Sequence, residues 1–311
     1  MTLALYILRR LGGLLLSLAV LSVIVFSLMH VAPGGPFSYD QNMPDYMMQN
    51  IAHKYGLDRP VYEQYLSWLG AMLRGDFGIP YQSPTETVVQ VVLRAWPITL
   101  IIGAISIAFA FGVGMLLGTV AAFNQNSWLD NLVTFGATLG MAVPSYVIGF
   151  VLIYLLSINL GLLPTGGWGE PKHLIMPVIA FSLGPMAIVA RMTRINLLET
   201  LSSEYVRLAR ARGIPTHLIW RRYVLKNASI PMITVLLPLI PDLLTGSIFI
   251  EAVFTIPGLG RFFTTSALNR DYPMIMAMAM MIAVLWGIMY LISDVLYAVI
   301  DPRVRLIGSE A

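Results

Sequence analysis

The sequence contains no cysteine and little charge, and each absence excludes a class of protein. Without cysteine, the chain forms no disulfide and offers no thiol chemistry. Charged residues make up 11% of the 311 positions, against roughly 25% in an average soluble domain. The 19 Lys and Arg and the 16 Asp and Glu are too few to cover the surface of a soluble protein of this length. A soluble enzyme, a disordered chain and a basic nucleic-acid binder are therefore excluded.

The chain is instead rich in long apolar stretches, with 57% hydrophobic residues and a mean hydropathy of +0.76. A helix needs roughly 20 apolar residues to cross the hydrocarbon core of a bilayer. This pattern predicts an all-α polytopic membrane protein with six transmembrane helices. The predicted spans cover 11–32, 97–122, 131–158, 173–191, 230–254 and 273–297. The first is too long for a signal-peptide core and lacks an A-x-A cleavage site, so we expect it to be retained.

The basic residues predict the orientation, because Lys and Arg accumulate in the cytoplasmic loops of membrane proteins. With the N-terminus inside, 12 of the 19 Lys and Arg fall in cytoplasmic segments, and eight of these lie within 191–229. Both termini are therefore predicted to be cytoplasmic.

With this orientation, the segment 34–94 is predicted to be an extracytoplasmic insertion. Within it, the helical spacing of apolar residues from Tyr62 to Met72 predicts a short amphipathic helix that ends at Gly75. This helix either lies against the membrane surface or caps the mouth of a transport pathway. Alternatively, it is part of a packed loop that has no role in ligand binding.

The cytoplasmic segment predicts two short helices separated by glycine. Ser203 is a candidate cap for a first helix, which begins at Glu204 and stops at Gly213. Thr216 is a candidate cap for a second helix, which extends to about Lys226. Three interpretations stay open on physical grounds. The basic surface binds anionic lipid headgroups, or it only satisfies the positive-inside rule, or it docks a soluble partner.

Motifs for catalysis, nucleotide binding and metal binding are missing from the sequence. No P-loop, H-E-x-x-H or G-x-S-x-G pattern occurs, and the four histidines are scattered. No catalytic residue, metal ligand or cofactor is therefore predicted. An acidic side chain within a membrane span is energetically costly, so such residues are candidates for a transport pathway or gate. Asp242 and Glu251 are the candidates of this kind. The alternative explanation is a polar contact to another helix for Asp242 and solvation at a span end for Glu251. Pro144 is a third candidate because it predicts a kink in the third span.

Nine short sequence pieces, in order and spread over the whole chain, resemble the binding-protein-dependent ABC-importer permeases. The resemblance is to the oligopeptide/dipeptide branch, in its first-permease subgroup. The cytoplasmic segment 204–231 also resembles the loop that holds the coupling helix in that family. The nine pieces are Leu8-Arg9-Arg10, Ala32-Pro33-Gly34-Gly35-Pro36-Phe37, Tyr55-Gly56-Leu57-Asp58-Arg59-Pro60, Gly75-Asp76-Phe77-Gly78, Val143-Pro144-Ser145, Leu163-Pro164-Thr165-Gly166-Gly167-Trp168, Glu251-Ala252-Val253-Phe254 with Pro257-Gly258-Leu259-Gly260, Leu268-Asn269-Arg270-Asp271-Tyr272, and Asp301-Pro302-Arg303.

One position departs from the general importer pattern. That pattern reads Glu-Ala-Ala, three residues, then Gly, whereas this chain has Arg207-Leu208-Ala209 before Gly213. The peptide branch typically has this form. A contact attributed to the family's glutamate therefore does not carry over to this chain.

The resemblance implies a type I ABC importer permease fold in a non-catalytic subunit of the bacterial or archaeal cytoplasmic membrane. It implies a 195–229 coupling loop and alternating-access transport of oligopeptides or dipeptides. The implied partners are a second homologous permease, two cytoplasmic ATP-binding subunits and an extracytoplasmic peptide-binding protein. The alternatives are a permease for another solute, such as nickel or a glycoside, a stand-alone secondary carrier, or a membrane enzyme. The residues implied in ATPase coupling are Ala209, Ala211, Gly213, Thr216, His217, Leu218, Trp220, Arg221 and Arg222.

Overall fold

The computed structural model describes residues 3–31, 56, 58–81, 85–219 and 238–300. Every regular element in these ranges is helical, which confirms the all-α prediction. A π-helix, Ile153–Asn159, continues α5. The helices are α1 (Leu3–Val31), α2 (Val61–Leu73), α3 (Val88–Phe123), α4 (Trp128–Ala142), α5 (Ser145–Leu152), α6 (Lys172–Ser202), α7 (Glu204–Ala211), α8 (Thr216–Ile219), α9 (238–244), α10 (Ile248–Val253), α11 (Leu259–Leu268) and α12 (Tyr272–Ile300).

Four helices within the described ranges are long and apolar enough to cross a membrane. The helices α4 and α5 form a bent pair, which makes a fifth span if the two together cross the membrane once. The four are parts or all of α1, α3, α6 and α12. The chain is thus a polytopic membrane protein. The fifth predicted span, 230–254, lies partly outside the described residues. Its described part contains two short helices, α9 and α10, separated at 245–247.

The third predicted span is broken rather than gently kinked. The axes of α4 and α5 differ by 106° at Pro144, the residue before the first turn of α5. Val143 is extended, with φ −92° and ψ 124°, as expected for the residue before a proline. Such a bend forms either one broken span or a re-entrant loop.

Several helices extend beyond the predicted spans, and α3 and α6 do so the furthest. The helix α3 begins at Val88 instead of near Pro97, because Thr87 and Gln90 form a reciprocal capping box. At its other end the chain passes through a short loop into α4. The helix α6 continues to Ser202, past the predicted end of its span, because Leu197 and Thr200 remain buried against neighbouring helices.

Small residues bring α3 and α6 close together. A Cβ atom on Gly118 would overlap the carbonyl oxygen of Ala190, and one on Gly114 would lie 2.8 Å from the carbonyl oxygen of Met186. Gly114 and Gly118, one helical turn apart, therefore permit a close helix crossing. Of a second glycine pair with the same spacing, Gly140 approaches α6 while Gly136 faces open space.

The predicted helix within the segment 34–94 is confirmed. It is α2, and Gly75 follows it with a φ of +80°. Its aromatic face, Tyr65 and Trp68, packs against Phe26 of α1 and near Tyr272 of α12. The helix thus covers the C-terminal part of α1 and the start of α12.

Candidate functional site

The coupling segment, defined here as residues 204–219, is a helix, a glycine turn and a second helix. The turn after α7 is a Schellman motif: the Gly213 amide donates to the carbonyl of Arg210 at 3.0 Å, and the Ile214 amide donates to that of Ala209 at 3.2 Å. Gly213 has a φ of +71°, which a residue with a side chain adopts at a cost. The predicted stop at Gly213 therefore has a defined backbone cause.

An apolar cluster attaches the coupling segment to the ends of α3 and α6. Val206 and Ala209 of α7 pack with Ala122 of α3, Leu197 of α6 and Ile219 of α8. The opposite face of α7 is basic and exposed. One face of this amphipathic helix is therefore fixed to the transmembrane helices, and the other is exposed.

The predicted coupling residues differ in their exposure to solvent, and some lie outside the described residues. Ala209 is buried in the apolar cluster, so it anchors the segment instead of presenting a docking surface. Ala211, Gly213 and His217 are exposed, and Leu218 is half-buried. Thr216 begins α8. The remaining predicted residues, Trp220, Arg221 and Arg222, lie outside the described residues.

An ion pair beside this cluster joins α4 to α6. The Arg194 guanidinium donates from Nε to Oδ1 of Asp130 at 2.5 Å and from Nη2 to Oδ2 at 2.7 Å. The Asp130 side chain also accepts from the Asn126 amide at 2.9 Å, and Asp130 is only 2% exposed. Both residues fall outside the predicted spans, and the sequence analysis did not identify the pair. The sequence does contain a local signal for the position of Asp130. Ser127 is a typical helix cap, which predicts that Asp130 lies in the first turn of a helix.

Glu251 lies in a buried polar junction between α3, α10 and α11. The Thr99 hydroxyl donates to Oε1 of Glu251 at 2.8 Å and accepts from the Leu259 amide at 2.9 Å. The Gly260 amide donates to Oε2 of Glu251 at 2.7 Å. Glu251 is 1% exposed, so the alternative explanation for this acid, solvation at a span end, is wrong. Its carboxylate is satisfied by neutral donors at the start of α11.

Two pieces of the resemblance that are far apart in sequence meet at this junction. The Gly167 amide donates to the carbonyl of Phe254 at 2.8 Å, and a Cβ atom on Gly166 would overlap that same carbonyl. Phe254 is fully buried and packs against Gly149 of α5. The following residue, Thr255, has a φ of +50°, and its carbonyl accepts from Nη1 of Arg261 at 2.8 Å. The loop 163–168 is therefore docked on the turn after α10.

The three candidate gate residues do not gather at one place. Pro144 and Asp242 line the same cavity of about 310 Å³, which lies at the break between α4 and α5. Asp242 is exposed, in contrast to Glu251 in the buried junction. In the described ranges, no group of three or more His, Asp and Glu side chains is placed to hold a metal ion.

Comparison with known sequences decides the family. Residues 114–306 match the family described as binding-protein-dependent transport system inner membrane component. The chain belongs to this family of permeases. Residues 3–103 match the family's N-terminal component, so the two matches extend over most of the permease. Membership makes the chain a non-catalytic transmembrane component of an ABC transporter, which confirms the resemblance seen in its motifs.

Several curated permeases are similar to this one over nearly their full length. The dipeptide transport system permease protein DppB of Lactococcus lactis is 40% identical over 97% of this chain and 99% of its own. DppB of Bacillus subtilis is 35% identical over 97% of this chain and 98% of its own. The oligopeptide transport system permease protein OppB of Haemophilus influenzae is 37% identical, over 96% and 99%.

Solved transporter structures share the permease fold at lower identity. An inward-facing form of the MetNI methionine ABC transporter has a TM-score of 0.55 and 18% identity, covering 68% of this chain and 97% of that one. An amino acid ABC transporter solved with histidines has a TM-score of 0.52 and 18% identity, covering 69% and 94%. At this identity the likeness concerns the fold alone.

Proposed function

We propose that the chain is one of two permease subunits of an ATP-driven importer that moves dipeptides or oligopeptides inward by alternating access. The observation that carries the proposal is 35–40% identity, over nearly the whole chain, to permeases named for dipeptide or oligopeptide transport. A permease for nickel or a glycoside is the alternative, and no feature of the described residues favours it.

The proposed topology has six spans with both termini in the cytoplasm. Four long helices and the bent α4–α5 pair account for five spans, and the hydrophobic sequence 230–254 supplies the sixth. This arrangement puts the basic coupling segment on the cytoplasmic side, as the positive-inside rule requires. The extracytoplasmic insertion 34–94 then lies on the outer side with α2.

The proposed partners follow from three surfaces of the chain. The exposed apolar faces of α4 and α5, which include Phe135 and Phe150, suit a second homologous permease and surrounding lipid. The exposed basic face of α7 suits docking by two cytoplasmic ATP-binding subunits, one on each permease. An extracytoplasmic peptide-binding protein would deliver peptide to the outer side.

The proposed mechanism transmits movement from the coupling segment to the cavity at Pro144. ATP-binding subunits would push on the exposed side of α7 and α8, where Ala211, Gly213 and His217 are accessible. Because the opposite face is packed on α3 and α6, the movement reaches the transmembrane helices directly. The exposed acid Asp242 and the break at Pro144 would then lie along the pathway that opens.

The test is reconstitution of this chain with a second permease, ATP-binding subunits and a peptide-binding protein from the same organism. We expect the ATP-binding subunits to copurify, and labelled di-alanine or tri-alanine to enter vesicles only with ATP. Gly213→Pro, and separately Leu218→Asp with Trp220→Asp, should abolish uptake without preventing membrane insertion. Uptake without ATP, or uptake of nickel ions or lactose in place of either peptide, would overturn the proposal.

A further inference from the structure

The Asp130–Arg194 pair is built as a two-point connection. Two parallel hydrogen bonds join the carboxylate of Asp130, in the first turn of α4, to the guanidinium of Arg194 in α6. A bidentate pair fixes orientation as well as distance, because the planar fork of arginine matches the carboxylate. The Asp130 side chain is 3% exposed and that of Arg194 is 26% exposed, so water does not compete freely for these bonds.

The same carboxylate also fixes the loop between α3 and α4. Its Oδ2 atom accepts from the amide of Asn126, which adopts a φ of +62°. Ser127 caps α4 by accepting from the Asp130 amide at 3.3 Å. One side chain therefore determines how α3 leads into α4 and how α4 is held on α6.

Arg194 lies directly beside the attachment of the coupling segment. Leu197, one helical turn further along α6, belongs to the apolar cluster that holds Val206 and Ala209 of α7. The helix α6 ends at Ser202, and α7 begins at Glu204. A displacement of α7 thus reaches Arg194 through the packed side chains of this cluster and then along α6, although the helical backbone breaks at Ser203.

At its other end, α4 runs to the break at Pro144. The cavity shared by Pro144 and Asp242 is also lined by Gly140 of α4 and Gly184 of α6. The path from α7 through Arg194 and Asp130 to α4 therefore connects the coupling segment with the cavity.

We propose that Asp130 and Arg194 are positioning residues that join α4, α6 and α7 into one rigid body, so that movement of the coupling segment displaces the α4–α5 break. This inference rests on the proposed function, since it concerns how ATP hydrolysis is coupled to transport. It predicts that losing the pair separates ATP hydrolysis from uptake without preventing assembly.

The first experiment measures uptake of labelled tri-alanine per ATP hydrolysed in the reconstituted complex. Arg194→Lys keeps the positive charge but loses the two-point fork, and Asp130→Asn keeps the shape but loses the charge. We expect each variant to lower uptake per ATP by at least about threefold, with ATPase activity retained. The charge exchange Asp130→Arg with Arg194→Asp should recover part of the ratio. The control is Glu86→Gln, which removes the exposed Glu86–Arg94 ion pair elsewhere and should leave the ratio unchanged.

Wild-type uptake per ATP in both single variants would overturn the inference. So would a loss of uptake that only follows the loss of assembled complex. Failure of the wild-type complex to take up tri-alanine or di-alanine with ATP would instead contradict the proposed function, which keeps the two claims separate.

A second measurement does not depend on stable variants of the pair. Because the chain has no cysteine, single cysteines at the exposed positions Leu132 of α4 and Leu208 of α7 accept spin labels specifically. In the complex with otherwise wild-type sequence, we expect the distance between the labels to be the same in the nucleotide-free and the nucleotide-trapped state. A distance that changes between these states would show that α4 and α7 are not one body, and would overturn the inference.

Discussion

Thr99 and Glu251 lie 152 positions apart and together cap the first turn of α11. The Thr99 hydroxyl accepts from the amide of Leu259, and the Glu251 carboxylate accepts from that of Gly260. Gly258, the residue at the cap position, has no side chain with which to do this locally. The first amides of α11, at its buried start, are thereby satisfied by side chains from α3 and α10, which joins three elements at one point.

This joint cap predicts a difference between two substitutions at Thr99. Thr99→Val keeps the shape but removes the hydroxyl, which leaves the amide of Leu259 and one oxygen of Glu251 without that partner. We expect a destabilisation of about 1–3 kcal/mol, the usual cost of an unsatisfied buried polar group. Thr99→Ser keeps the hydroxyl and should retain more of the stability. Apparent melting temperatures in one detergent measure the effect, and equal values for the two variants would contradict it.

Gly258→Ala should destabilise the same junction by crowding. Its Cβ atom would overlap the Glu251 carboxylate and lie 2.7 Å from the Thr99 hydroxyl oxygen. Overpacking of this kind typically costs about 1–3 kcal/mol. Gly112→Ala is the matched control, because a Cβ atom there has nothing within 4 Å. If thermal unfolding of the two variants were indistinguishable, Gly258 would not be the close-approach position described above.

Gly213→Ala should weaken the turn of the coupling segment through backbone strain alone. The position has open space around it but a φ of +71°. We expect a local cost of about 1–2 kcal/mol for a residue with a Cβ atom. Gly213→Asn should cost less, because asparagine tolerates this conformation better. Hydrogen exchange of the amides of residues 213 and 214 reports the turn, and we expect the fastest exchange in the alanine variant. The same exchange rate in all three proteins would contradict the strain argument.

Gly118→Ala should separate α3 from α6. The added methyl group would overlap the carbonyl oxygen of Ala190, which is backbone and has little freedom to move. Gly136→Ala serves as the control, since its methyl group meets nothing within 4 Å. We expect a lower apparent melting temperature for the first variant only. An unchanged melting temperature would mean that the two helices adjust without cost.

The sequence alone predicted the elements that depend on neighbouring residues. The end of α7 follows from Gly213, since a glycine stop acts within one turn. The predicted cap by Ser203 is wrong, because its hydroxyl makes no cap hydrogen bond and donates to the carbonyl of Thr200 instead. The helix α2 was predictable for the same reason, as its apolar spacing and Gly75 are local signals. The kink at Pro144 was also predicted. Its size of 106° was not, because packing against distant helices sets it.

The side-chain pairs that join distant helices were not predictable in this way. Asp130 and Arg194 are 64 positions apart, and both fall outside the predicted spans, where a charged residue draws no attention. Glu251 was predicted as a candidate gate, with solvation at a span end as the alternative, and the sequence indicated no partner for its carboxylate. Its partners are the Thr99 hydroxyl and a backbone amide, and neither carries a charge that a search of the sequence would find.

The cap shared by Thr99, Glu251 and Gly258 has a consequence for how the sequence can diverge. A side chain at position 258 would occupy the space of the carboxylate, while a shorter acid at 251 would leave the Gly260 amide unsatisfied. Each change alone is therefore harmful, whereas a cap at 258 combined with a neutral residue at 251 could restore the helix start. The three positions should consequently show strong epistasis, and substitutions tolerated in one homologous background should fail in another.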